Sequence, residues 1–518
     1  MTVIDTNARH DRSNGLRSGG AAALCCVVAW SPAVALAQTA NRPPAEDPVP
    51  RTGAVPETRG VLPADMLLQL PRPNARPYGP VEDPLLYRSQ DRTGGIPTRD
   101  ESVLQLTDNM AQDAARTASV RPTSRTIDDL KTRGFPVLTR TRTDYDPLGI
   151  RVPGFTVYPS ATVSANATSN VFLQPRGVSD AFATARVAVV ARSDFTRHFV
   201  DFDGFVEGMG FARSGTENGI SYLARAIGRY DVVGRDTLTF DVSRERRLVD
   251  RSAVGETITT RSPIRFDRTM ADVSGRVVRG RTSFDLRGGV SQVDFQDAQT
   301  RAGSPFDEDF RDYTNYGVSV LAAYEVGYGR AFYGSASQDW QRSRIVSTPR
   351  RDLQRTEFLA GVRGEVTPLV TGHAALGYLQ ITFRDPTLRT QRTPAIDVRL
   401  DYLYSQLTTF TLSVRRTLLN VSSFTAPGAI VTNTRIGVDH ELYRNLILSA
   451  GAVYNDAKYL RDNQNARILG GDLAAQYLID RKWRMRVSIA QRSRRTVRFD
   501  TDRGFDLVTT SIGITRQL

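Results

Sequence analysis

Cysteine is almost missing from this chain of 518 residues: Cys25 and Cys26 are the only two. Both lie in a short apolar run near the N-terminus, so everything after it has no thiol, no disulfide framework and no Cys-based metal site. Histidine is nearly as scarce. His10, His198, His373 and His440 are scattered without a metal-binding spacing. Among 68 basic residues only Lys131, Lys458 and Lys482 are lysine. Positive charge is therefore carried by arginine, whose guanidinium grips carboxylate and phosphate through paired hydrogen bonds. No segment approaches the ~18 consecutive apolar residues that a spanning helix needs. No phosphate-binding loop or dinucleotide fingerprint occurs, and no cofactor is expected. Nucleic acid is not an expected partner either, because the net charge of +13 is spread along the chain and not gathered on one helix or stripe.

What is present begins with an export signal. Arg9, Arg12 and Arg17 form a basic stretch, Ala21 to Trp30 an apolar one, and Ala35-Leu36-Ala37 a small-x-small cleavage site before Gln38. Leu24 precedes Cys25 where a lipidation signal needs a small residue, so both cysteines are expected to leave with the signal. Residues 41–153 then hold 16 of the 26 prolines, a density that favours extended, solvated chain. Within it, Ser102–Thr117 spaces Val103, Leu106, Met110, Ala111 and Ala114 as a helix would, and Ile127–Arg133 ends at Gly134, a helix stop. The expected organisation is a signal peptide at 1–37, a largely disordered Pro-rich periplasmic leader with short helices at 38–149, and one large domain at 150–518. The leader either stays disordered, folds against a periplasmic partner, or plugs the domain that follows.

From about residue 155 to Leu518 the chain repeats one pattern. Ten or so residues alternate apolar and polar, then a cluster of Asp, Arg, Gly, Asn or Pro intervenes. Sustained period-two alternation is the signature of an all-β transmembrane barrel, each antiparallel strand showing one face to lipid and the other to a polar lumen. Closure is what allows strands to satisfy every backbone N–H and C=O inside a bilayer. In Phe155–Asn166, for instance, Phe155, Val157, Ala161, Val163 and Ala165 share a face opposite Thr156, Tyr158, Ser160, Thr162 and Ser164. The pattern gives about 18 strands, with 16 as the alternative, since bacterial single-chain barrels have even numbers. Expected strands include Thr237–Arg244, Ser283–Val290, Glu357–Thr367 and Ile396–Tyr404. Tyr230, Tyr324, Tyr378, Tyr402 and Tyr454 fall near strand ends, where interfacial aromatic girdles sit. Ile512, Ile514 and Leu518 share a lipid-facing phase in the last strand.

The same register turns Arg186, Arg192, Arg225, Arg229, Arg287, Arg363, Arg399, Arg415, Arg484 and Arg486 toward the lumen, joined by Asp241, Asp285, Glu365 and Asp401. Two readings stand. Opposite charges on neighbouring strands brace one another in ladders, or the arginines form a wall that prefers anions. A slip of one residue would turn any one strand's set outward. Catalysis finds little support. Asp439 and His440 are adjacent, so they point to opposite faces of a strand. His373, Asp201, Asp203 and Glu207 read as polar lumen or rim groups, and no catalytic residue or metal ligand is assigned.

Ile150–Phe172, IRVPGFTVYPSATVSANATSNVF, resembles the opening strand of the outer-membrane proteins called β-barrel porin type 2, with Tyr158-Pro159 followed by Asn170 in the first loop. Phe358–Phe383, FLAGVRGEVTPLVTGHAALGYLQITF, is similar to their central hairpin, with Thr367-Pro368 at the turn and Gly377-Tyr378 on the returning strand. Leu518 at the end of the chain and His373 depart from that pattern. The resemblance implies a bacterial outer-membrane pore, often the conduit for an exopolysaccharide or capsule system. A general or anion-preferring diffusion porin is the alternative. Expected partners are outer-membrane lipid, lipopolysaccharide, the barrel assembly machinery and a periplasmic polysaccharide export protein that lacks a pore of its own.

Overall fold

The computed structural model describes residues 136–139 and 142–518, apart from 233–235, 250, 253–259, 301–302, 328–329, 346–349, 368, 420, 422–425, 462–463 and 498–503. The expected signal peptide, and the leader up to residue 135 with both of its helices, lie outside the described residues.

The strands are β1 (Ile150–Val152), β2 (Phe155–Thr168), β3 (Asp180–Ser193), β4 (Phe199–Phe211), β5 (Gly219–Asp231), β6 (Thr237–Leu248) and β7 (Arg265–Arg279). They continue as β8 (Thr282–Phe295), β9 (Ala298–Gln299), β10 (Pro305–Phe306), β11 (Tyr313–Gly327), β12 (Arg330–Ser343), β13 (Leu353–Thr367) and β14 (Val370–Phe383). The last are β15 (Gln391–Ser405), β16 (Thr408–Leu419), β17 (Ala429–Tyr443), β18 (Leu446–Tyr459), β19 (Asn465–Leu478), β20 (Trp483–Val497) and β21 (Phe505–Gln517). β1 folds back on the start of β2, and β9 pairs with β10 in a small hairpin between β8 and β11. The other strands each pair antiparallel with their neighbours in sequence, β8 passing directly to β11. β21 then returns to β2, with Thr162 opposite Thr515 and Ile514 opposite Val163. The result is a closed antiparallel barrel of 18 strands, β2–β8 and β11–β21.

The two faces differ as lipid and water require. Val163, Val187, Leu376, Leu469 and Ile512 point outward and are 52% to 65% exposed. Their sequence neighbours Thr162, Arg186, Ala375, Ile468 and Ser511 point inward. Exposed aromatic residues mark two levels on the outer wall. Tyr230, Tyr324, Phe332, Tyr404 and Tyr443 lie at the end with short connections, such as 280–281, 406–407 and 444–445. Tyr316, Phe358, Tyr378 and Tyr454 lie toward the end with long ones, such as 249–264 and 296–312. Tyr316 and Tyr324 on β11 are separated by about 26 Å of strand, hence roughly 20 Å along the membrane normal at the usual tilt, close to the height of an outer-membrane apolar band.

Several strands outrun the alternation that announced them. β6 continues to Leu248 and β8 to Phe295, while β13 starts at Leu353 and β15 at Gln391. All four extensions lie at the long-loop end, above the upper aromatic level. There the outer face meets water, and charge occupies both sides: Arg246 bonds Asp267 outside at 2.7 Å while Arg247 bonds Glu245 inside at 3.1 Å. The backbone ladder persists after the apolar period has ended.

Leu376→Arg, between the aromatic levels, is expected to lower folding stability in phospholipid vesicles by about 2–4 kcal/mol, and Gln354→Arg, above them, by less than about 1 kcal/mol. Denaturant titration of vesicle-folded protein measures both.

Candidate pore lumen

The inward face of β3–β8 is a ladder of ion pairs. Arg186 faces Glu207 at 3.6 Å and covers the Phe205 ring, with its guanidinium 3.6 Å from the centroid. Arg192 reaches Asp201 at 2.8 Å and Asp203 at 3.7 Å. Arg225 binds Asp241 through two hydrogen bonds. Arg229 meets Asp231 at 2.9 Å and Arg287 meets Asp272 at 2.9 Å. Glu245 lies between Arg247 and Arg268 and bonds both. Each guanidinium lies beside a carboxylate on its own or an adjacent strand, so the wall balances its own charge. Such pairs hold their place because removing one partner leaves an uncompensated charge.

Elsewhere the lining changes. On β11–β15, inward Leu321, Ala323, Tyr333, Leu359, Ala375, Leu379, Ile381 and Ala395 form a buried apolar cluster. Arg363 crosses the same region to bond Ser283 Oγ on β8 at 3.3 Å, over the Tyr333 ring. Arg355 and Asp339 form a fully buried pair at 2.7 Å. Arg399 stands in register with His373 and Ser413, and Arg415 with Asp397 and Asn433. Arg435 reaches Asp472 on β19 at 3.2 Å. The two membrane-spanning histidines look in opposite directions. His373 Nε2 lies inside, 3.1 Å from Asp397 Oδ1, whereas His440 Nδ1 lies outside, 2.9 Å from Thr408 Oγ1. Asp439, next to His440, turns inward and accepts from Ser449.

A third wall is basic. β20 turns Arg484, Arg486, Arg492 and Arg494 inward, in the phase of Ser488 and Ala490. The inward faces of the strands beside it are poor in carboxylates. β21 presents Leu507, Thr509, Ser511, Gly513, Thr515 and Gln517 on that face, and β19 presents Asp472, already held by Arg435. β2, beyond β21, adds Ser160, Thr162 and Ser164, with Thr162 and Thr515 hydroxyls 2.9 Å apart across the closure. The wall therefore combines four guanidiniums with a field of hydroxyls.

Loops narrow the long-loop end. Arg251, in the 249–264 connection, bonds Glu217 of the preceding loop at 2.9 and 2.8 Å. Ser252 beside it accepts from Arg492 on β20, so this connection reaches across the barrel from β6 to the basic wall. Arg351 donates to the Val421 carbonyl at 2.8 Å and covers the Phe310 ring, joining three further loops. Arg355 and Arg247 lie beyond the expected strands Glu357–Thr367 and Thr237–Arg244. Asp339, Arg435, Asp472, Arg492 and Arg494 carry the inward phase of the alternation in their strands, which is the sequence signal for them. For Glu217, Arg251 and Arg351 no sequence signal exists, because nothing local to a loop states which way it folds.

The sequence profile of the family described as "Putative beta-barrel porin 2" matches residues 142–517. The chain belongs to this family. Membership makes the porin an outer-membrane β-barrel of a transport family, not an enzyme. No curated protein matches it. Among solved structures it is similar to a mutant of the ferric enterobactin receptor PfeA of Pseudomonas aeruginosa in complex with enterobactin (8% identity, TM-score 0.38, covering 70% of this chain and 81% of that one). It is also similar to the siderophore receptor PirA of Pseudomonas aeruginosa (9%, 0.37, 73% and 81%) and to the copper transporter OprC (10%, 0.38, 71% and 81%).

Asp339→Ala in the porin is expected to cost about 3–5 kcal/mol, because buried Arg355 loses the carboxylate it hydrogen-bonds. Replacing both, with Asp339→Leu and Arg355→Met, should recover most of that loss. Denaturant midpoints of the two variants against the parent protein measure the difference.

Proposed function

We propose that this porin is a passive diffusion pore for small hydrophilic solutes, with a preference for anions conferred by the β20 wall. The observation that carries the reading is the row of four inward arginines on β20 beside strands that offer hydroxyls in place of carboxylates. Charged groups lining a pore set its sign preference, and guanidinium is suited to carboxylate and phosphate. Arginine and carboxylate are similarly frequent on the inward face of β3–β8, whereas arginine predominates on that of β19–β21 and β2, so the bias in residue type lies on one side of the lumen. The short connections support a periplasmic mouth and the long loops a mouth at the cell surface, the usual arrangement in bacterial barrels. The inward reach of loop 249–264 to Arg492 favours small solutes over a polymer.

The finer reading, a conduit for an exopolysaccharide or capsule chain, is supported by family resemblance alone. It predicts a distinct phenotype: surface glycan lost and periplasmic glycan accumulated in a deletion strain. Normal glycan in both compartments removes it and leaves the diffusion pore untouched.

Planar-bilayer recordings of the purified protein test the proposal. In a salt gradient the reversal potential is expected to favour anions. Arg486→Ser with Arg494→Ser should move the permeability ratio toward one while conductance persists. Removing a whole pair from the balanced wall, Arg225→Ser with Asp241→Ser, should leave the ratio where it was. A cation-favouring parent channel, or an unchanged ratio in the β20 variant, overturns the reading.

A further inference from the structure

The end of the leader does not pass outside the barrel. Val137 is wholly buried, and its N–H donates to Thr409 Oγ1, on the inward face of β16, at 3.0 Å. Arg142 bonds the Val137 carbonyl at 2.9 Å and Glu441 of β17 at 2.8 Å. Opposite, Arg481 donates to the Thr143 carbonyl at 3.0 Å, and Gln517, the last residue of β21, donates to the Tyr145 carbonyl at 3.3 Å. The segment is thus tied to β16, β17, β21 and the β19–β20 turn, all at the short-turn mouth. Its exit depends on Gly149, which has φ +73°, and where a Cβ would lie 2.6 Å from Thr156 and 2.7 Å from Tyr158. Only glycine takes that turn against the wall without strain.

Asp146 is the acidic group of this segment that faces the basic wall. Its carboxylate accepts the Arg142 N–H at 2.6 Å and is acted on by the Arg142 and Arg484 guanidiniums. Arg484 and Arg486 are the foot of the β20 row. We propose that residues 136–139 and 142–146 form a built-in plug of the short-turn mouth, with the Asp146 carboxylate standing where a permeating anion meets the first arginines. Segment and solute then compete for one place, and the pore conducts when the segment leaves it. This rests on the diffusion-pore reading and adds to it an internal inhibitor and its site.

The plug also responds to pH. Burial pushes the Asp146 carboxyl up to about 6 from an ordinary 3.8, against the lowering effect of the Arg142 N–H and of the Arg142 and Arg484 charges. Both guanidiniums answer to further charges, Arg142 to Glu441 on β17, which it bonds at 2.8 Å, and Arg484 to Arg486 on β20. Because the seated segment holds the proton more tightly than the released one, seating is strongest below about pH 4 and weakens as pH rises through about 6.

Three forms of the full-length porin in planar bilayers test this. Val137→Asp with Arg142→Ala unseats the segment and should raise mean conductance several-fold over the parent. Val137→Cys with Thr409→Cys, oxidised, should hold conductance below the parent, and reductant should restore it. Asp146→Asn should abolish the rise in conductance between pH 4 and pH 6 that the parent shows. If the parent conducts and neither the unseated nor the oxidised form differs from it, the plug is refuted and the diffusion pore stands. If the unseated form stays as silent as the parent, the segment is not what closes the lumen, and the diffusion-pore reading fails with it.

Discussion

The pairing of β21 with β2 is the constraint on which the rest depends. A strand in lipid has no water to satisfy its peptide groups, so an unpaired edge inside the bilayer costs several kcal/mol per residue. Closing the ring removes both edges at once. It also fixes a parity: once Thr162 stands opposite Thr515, every residue on every strand is assigned to lipid or to lumen by the ladder that runs round the barrel. Charge is then confined to the inner face and to the rims. The ion-pair ladders, the apolar patch and the arginine row are three ways of filling the space that this parity encloses.

These fillings are unequal in what they ask of the protein. Along β3–β8 each charge is neutralised within a strand or two, which braces the wall and leaves little field in the lumen. β20 takes the opposite course. Among its four guanidiniums, Arg492 donates to Ser252 of a loop, Arg494 to Tyr459 Oη at 3.4 Å, and Arg484 is reached by the charge of Asp146 from the leader. Desolvated arginines that draw partners from remote segments of the chain make those segments part of the pore. The connection at one end and the leader at the other are both recruited to the same strand.

The barrel itself was legible in the sequence because lipid imposes a hard alternation. Leu376 outside and Ala375 inside differ as they must, and strand number followed from counting such stretches. The reach of the strands was not, since lipid stops acting above Tyr316 and Phe358 while the backbone ladder goes on. Arg247, Arg268 and Arg355 lay in that silent zone. The lumen was legible by parity and obscure in its balance: Arg186 and Arg486 carry the same signature in sequence, yet one lies beside Glu207 and the other stands in an arginine row. Which carboxylate meets which guanidinium depends on the offset between neighbouring strands, and sequence periodicity contains no offset. Ser252 and Val421, in two of the connections, are held by contacts distant in sequence, and alternation has nothing to say about those.

The seat of the leader's last residues is assembled from both ends of the domain. Thr409 and Glu441 belong to its later half, and Gln517 is the penultimate residue of the chain. The β16–β17 half of this seat forms with that hairpin, but the Gln517 half waits until the final strand has been synthesised, inserted and zipped to the first. A half-built barrel therefore offers the segment only part of its seat, and the completed one gains the rest of its stopper's seat in the same event that seals its wall. For a cell that must insert pores into its outer barrier without losing its contents, this ordering means that the finished lumen and its closure arrive together.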